Sequence, residues 1–189
     1  DASDFFGYLS DIARAENLTA GELVITELMA WPMTDTSGNT CSDDDGEYVE
    51  IYNATANTID LRGLLLQDEN DMTNNTGTTL SELALLTSGG YAAGIHTSSA
   101  NCYSITESFE FGFNLNNSGD SVYLSNNSLV IDKMSYTSAT VTEGASIQLD
   151  ASTNDATSND SEDNWCSSES LIGSQGDAGS PAAANAQCP

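Results

Sequence analysis

From residue 21 onward, apolar stretches of only a few residues are interrupted again and again by Gly, Asn, Asp, Ser and Pro. This rhythm is the strongest constraint on the fold, because short strands fit between such breaks and a core-facing helix of ten or so residues does not. Leu23, Ile25 and Glu27 alternate with Val24, Thr26 and Leu28, and the run stops at Trp31-Pro32. Residues 33–46 carry Gly, Ser, Asn and the acidic run Asp43-Asp44-Asp45, which predicts a loop. Tyr48-Val49-Glu50-Ile51-Tyr52 is the next strand, ended by Asn53. Further strands are expected around 58–68, 79–86, 90–95, 109–115, 120–125, 129–136 and 145–149. Asn126-Asn127 predicts a tight hairpin turn, since Asn tolerates positive φ. Many short strands with little helix predict an all-β sandwich.

The two flanks differ from this middle. Phe5, Phe6, Leu9, Ile12 and Ala13 recur at helical spacing, with Ser3 or Asp4 as N-cap, so a short amphipathic helix is expected within residues 1–16. Its aromatic face must be buried against its own domain or a neighbour. Residues 150–164 have no large apolar side chain and are expected to form a solvated loop. Apolar character returns at Trp165, Leu171 and Ile172. The expected organisation is an N-terminal amphipathic segment (1–20), a sandwich (21–150), and an acidic loop with a disulfide-stapled tail (151–189).

Charge and cysteine usage restrict function. The chain carries 29 Asp and Glu against Arg14, Arg62 and Lys133, a formal net charge of −26. Such a surface repels phosphate backbones and anionic lipids, which argues against nucleic-acid partners and membrane insertion. It suits salt or divalent cations. Cys41, Cys102, Cys166 and Cys188 form an even set without CxxC, which argues for disulfides rather than zinc. Three pairings are open; Cys41–Cys102 with Cys166–Cys188 is favoured, because the second would staple the tail locally. The expected location is extracellular or at the cell surface, with Asp1 a mature N-terminus after signal removal.

Several motifs in order resemble the prokaryotic lamin tail domain family. These are ELVITELMA (22–30), GEYVEIYN (46–53), TIDLRGLLLQD (58–68) and LSELALLTSGGY (80–91), then LNNSGDSVYLSNNSLVIDKMSY (115–136), GASIQL (144–149), Trp165 and the closing GSPAAAN (179–185). The resemblance implies an immunoglobulin-like β-sandwich that serves as an extracellular module without chemistry of its own. The N-terminal segment, the 150–164 insert and the four cysteines depart from the family pattern.

Catalytic signals are poor. His96 is the sole histidine and no Gly-x-Ser-x-Gly elbow is present, so no catalytic residue is assigned. Metal binding is the stronger candidate. If Leu28 pairs with Val49 across an antiparallel hairpin, Glu27 falls opposite Glu50, an arrangement that calls for a proton, water or a cation between them. With Asp43, Asp45 and Glu47 in or beside the same loop and Asp68 at the end of a nearby strand, this is an oxygen donor set suited to Ca²⁺. Asn-x-Ser/Thr sites fall at Asn17, Asn53, Asn74, Asn116, Asn126 and Asn159. Trp31, Tyr103 and Trp165 are candidates for a sugar platform. The function expected is a structural or adhesive extracellular module that self-assembles as a filament or surface layer, docking through Phe5, Phe6, Tyr8, Leu9 and Ile12. The alternative is a Ca²⁺-dependent carbohydrate-binding module of a secreted hydrolase, with an extracellular glycan as partner.

Overall fold

The structure is a computed structural model that describes residues 12–33, 42–97, 102–106, 108–173 and 176–189. Its largest sheet has six strands in the order β13 (Trp165–Ser167), β12 (Ile147–Leu149), β2 (Leu23–Met29), β3 (Tyr48–Asn53), β8 (Tyr91–His96) and β9 (Phe109–Phe111). A four-stranded sheet runs β11 (Val130–Thr137), β10 (Gly119–Ser125), β5 (Leu65–Gln67) and β6 (Thr78–Thr79). A small third sheet orders β1 (Ile12–Arg14), β4 (Thr58–Asp60) and β7 (Leu85–Leu86). One apolar core joins the sheets: Leu23, Ile25, Leu28, Val49 and Ile51 pack in the same cluster as Leu66, Val122, Leu124, Ile131 and Met134. This is the expected all-β, immunoglobulin-like sandwich. A smaller cluster of Met29, Tyr48, Ala93, Ile95 and Ile105 forms separately, with Tyr103 and Ile172 packed on it.

A β-bulge decides which residues of β2 share a face. Ile25 pairs with Ile51 and Glu27 with Glu50, so Thr26 is the extra residue and the alternation shifts there. Leu23 and Ile25 point into the main core before the bulge, and Leu28 does so after it. Glu27 and Met29 are thereby turned to the side of Tyr48. Regular alternation would have put Glu27 beside Ile25 in the apolar interior.

Four local expectations are corrected. Residues 1–11 lie outside the described residues, but the helical spacing does not carry through Ile12: Ile12–Arg14 pair in parallel with Thr58–Asp60, and Ala15–Asn17 form a single 3-10 turn. The open edge of β4 offers Ile12, a β-branched residue, backbone partners that an isolated short helix lacks. The 58–68 segment splits around the turn at Arg62-Gly63, and its trailing Asp68 caps a helix, α1 (Glu69–Asn74), by accepting from the Asp71 amide. The β10–β11 connection spans residues 126–129, and neither asparagine adopts positive φ. Instead the Asn126 side-chain oxygen accepts from the amides of Ser128 and Leu129, and its side-chain nitrogen donates to the carbonyls of Ala15 and Leu18. In the 150–164 loop, Asn159 is buried: its side-chain nitrogen donates to Asp132 and the Ile25 carbonyl, and its own carbonyl accepts from the Trp165 indole. The loop contributes to the interior mainly through these hydrogen bonds, with Ala156 packed on the main core.

Candidate functional site

The expected register is present: Leu28 pairs with Val49 and Glu27 stands opposite Glu50. Both glutamates are 0% exposed. Glu27 accepts from the Tyr48 hydroxyl at 2.8 Å, the Ser146 hydroxyl at 2.5 Å, and the Ser180 amide at 2.8 Å and hydroxyl at 3.1 Å. Glu50 accepts from the Thr26 hydroxyl at 2.7 Å and the Ala183 amide at 3.2 Å. Burial raises the pKa of Glu27, and burial followed by the charge of Glu27 raises that of Glu50 well above the usual range. Two like charges this close in the interior favour one negative charge between them. The denser donor shell around Glu27 stabilises its charged form more than that of Glu50.

The segment Gly179-Ser180-Pro181-Ala182-Ala183-Ala184-Asn185 lies over this pair. Asn185 donates to the carbonyls of Thr26 and Leu149, tying the segment to β2 and β12. A Cβ at residue 179 would sit 2.1 Å from the Tyr48 hydroxyl oxygen, so Gly179 is required for the close approach. The Ala183 amide donates to the Ser180 carbonyl, closing a turn with Pro181 first and Ala182 second at φ 61°. Proline favours the first of these positions; the second is one that glycine normally takes. The Cys166–Cys188 disulfide, with a Cα separation of 5.8 Å, anchors the chain end beyond it. This agrees with the second favoured pairing; Cys102 is also in a disulfide, and Cys41 lies outside the described residues.

The other acids of the expected donor set fall elsewhere. Asp68 caps α1, and Asp45 accepts from the Ser42 amide and hydroxyl. Asp43 and Glu47 meet the loop before β10. There Asn117 donates to Asp43 at 2.9 Å, Asn114 donates to Asp44 at 2.9 Å, and the Leu115 amide donates to Glu47 at 3.0 Å. Burial, then the charges of Asp44, Asp43 and Asp120, push Glu47 up to about 9. Asp43 is likewise raised, chiefly by burial. Among the described residues, no three His, Cys, Asp or Glu side chains converge as a metal-binding group.

The remaining candidates are distributed by packing. His96 is buried edge-on to Phe111. Trp165 is buried with its indole nitrogen bonded, Trp31 packs on the main core, and Tyr103 donates to Asp177 and stacks edge-on against Tyr48. These three aromatics therefore form no shared exposed platform. Of the expected glycosylation sites, Asn53, Asn126 and Asn159 are buried, with side-chain nitrogens donating to backbone carbonyls and, for Asn159, also to Asp132. Asn17, Asn74 and Asn116 are exposed. Phe5, Phe6, Tyr8 and Leu9 lie outside the described residues; Ile12 lines a cleft of about 690 Å³ with Arg14, Arg62, Leu83 and Leu85. Sequence reasoning missed this cleft, because its walls come from three separate strands and turns.

A sandwich whose buried polar groups are spent on holding strands, loops and tail together defines a structural module of the immunoglobulin-like type. The chain belongs to the lamin tail domain family, whose model matches residues 17–138. The tail that covers Glu27 and Glu50 lies beyond that match. No curated protein and no solved structure matches the chain.

Proposed function

We propose that this lamin tail module is an extracellular structural subunit that self-associates, with residues 1–11 of one copy entering the cleft beside β1 of another. The observation that carries this reading is the composition of the cleft. It gathers Arg14 and Arg62, two of the three basic residues of a chain with net charge −26, beside Glu16 and Asp60, so its charge is balanced where the rest of the surface is acidic. Beside them Leu83 and Leu85 stand 62% and 44% exposed. A charge-balanced cleft with apolar walls can take an apolar segment that carries some acids, and residues 1–11 (DASDFFGYLSD) have that composition. The outer strands β1 and β7 leave the small sheet open at both edges among the described residues, a setting that favours addition of a further segment. The Cys166–Cys188 disulfide supports an oxidising location, and among the described residues no helix is long and apolar enough to cross a membrane.

Sedimentation of the full chain tests the reading. Phe5→Ser with Phe6→Ser, and separately Arg14→Glu with Arg62→Glu, should each convert assemblies to monomers with unchanged circular dichroism. Assemblies that persist in both variants would overturn it.

A further inference from the structure

We infer that the loops 42–47 and 114–120 form a Ca²⁺ site in which Asp43, Glu47 and Asn117 supply side-chain oxygens. This goes beyond the self-association reading and does not depend on it. Glu47 is only 1% exposed; Leu115 satisfies one of its carboxylate oxygens, while Oε2 is buried without a hydrogen-bond donor. Asp43 Oδ1 and Asn117 Oδ1 are buried without donors in the same way. Asp43 and Asn117 are held together through their other atoms, at 2.9 Å between Asn117 Nδ2 and Asp43 Oδ2. The contact uses one polar atom of each side chain and leaves Oδ1 of each without a donor. Folded proteins rarely leave one buried acceptor unpaired, and three in one loop pair is a concentrated deficit.

A ligand suited to this place must satisfy acceptors and offset negative charge. Asp44 and Asp120 add to the field at Glu47. The ion pair seen among the described residues, Arg62 with Asp60, belongs to the cleft and brings no positive charge here. A hard cation meets both needs at once. Carboxylate and amide oxygens on two loops suit Ca²⁺, which accepts irregular oxygen shells and fills its remaining positions with water; the set has no sulfur for a softer metal. With two carboxylates and one amide, the affinity should resemble that of extracellular modules, with Kd of about 10⁻⁴ to 10⁻³ M. The Glu27–Glu50 pair is a different case, because donors from Thr26, Tyr48, Ser146, Ser180 and Ala183 already fill its shell. The six acids grouped by sequence thus separate into a tail anchor, two local caps and a cation site.

Calorimetric titration of the full chain with CaCl₂, in enough NaCl to screen its diffuse charge, tests the site. The expected result is saturable binding that Asn117→Ala weakens about tenfold and Asn117→Asp, which adds a third carboxylate, strengthens. Glu47→Gln should abolish it, and Glu82→Gln, at an exposed acid elsewhere, should leave it unchanged. Asn117→Asp keeps the test decisive if Glu47→Gln fails to fold. Non-saturating heat, or equal affinity in the native chain and both Asn117 variants, would overturn the proposal.

Discussion

Glu27 and Glu50 stand directly opposite each other on adjacent strands, and the main-chain amides of Ser180 and Ala183 reach one carboxylate each. The C-terminal segment is thus anchored on acidic side chains rather than on apolar area. Glu27→Ala should cost about 3 kcal/mol or more, since it leaves several buried donors unpaired. Hydrogen exchange at the Ser180 and Ala183 amides should accelerate more than exchange in β10 and β11. Uniform acceleration would mean that the tail is not held locally.

Asp132 supplies a pH dependence with a definite sign. Burial raises its pKa to about 7, against opposing hydrogen bonds from the Ile25 amide and Asn159. Its contribution is therefore fully present below an unfolded value of about 4 and is lost as pH rises through about 7. An asparagine at this position would keep an acceptor for both donors without the charge. Asp132→Asn should exceed the native chain in stability at about pH 8.5 by up to about 4 kcal/mol and match it near pH 4. Denaturant midpoints at the two pH values check this.

Ala182 holds φ 61° at the second corner of the turn over the glutamate pair. Ala182→Gly should stabilise by about 0.5–1 kcal/mol by relieving that conformation. Gly179→Ala should destabilise by about 1–3 kcal/mol, because the added carbon meets the Tyr48 hydroxyl. Thermal melts of the two variants should shift in opposite directions.

The Cys166–Cys188 disulfide closes a loop with a sequence separation of 22 that contains the whole tail anchor. Replacing both cysteines by serine should cost about 3 kcal/mol by restoring entropy to the unfolded chain. Comparing denaturant unfolding of this variant with the oxidised native chain measures it.

Truncation should show a sharp boundary. Removing residues 1–11 should leave the melting temperature within a few degrees of native while dissociating assemblies. Removing residues 1–16 also deletes the β1–β4 pairing and the Ala15 carbonyl that Asn126 contacts, and should cost about 2 kcal/mol more. Equal melting temperatures for the two truncations would show that β1 contributes nothing to the fold.

The residues themselves determined a good deal. Alternation and turn chemistry located most strands between Leu23 and Leu149 and the sandwich they build, because each strand's pattern reports its local burial period, but not the breaks inside 58–68 and 79–86 that put β4 and β7 in one sheet and β5 and β6 in another. The family resemblance was legible for a related reason: its motifs sit at strand ends and turns, where backbone geometry restricts residue choice. The Glu27–Glu50 pairing was also within reach, since an antiparallel register follows once one apolar pair is chosen.

Only the tertiary structure decided what those glutamates do. The bulge at Thr26 turned Glu27 away from the main core, and a tail more than a hundred residues distant brought its amides to the pair. Long-range contacts likewise made a strand of Ile12–Arg14, buried Asn159 in a loop with no large apolar side chain, and dispersed one acidic list over separate places. Local sequence records the period and charge of a segment. Which donors, acceptors and edges that segment meets is set by chain crossings, and these carry no local signature.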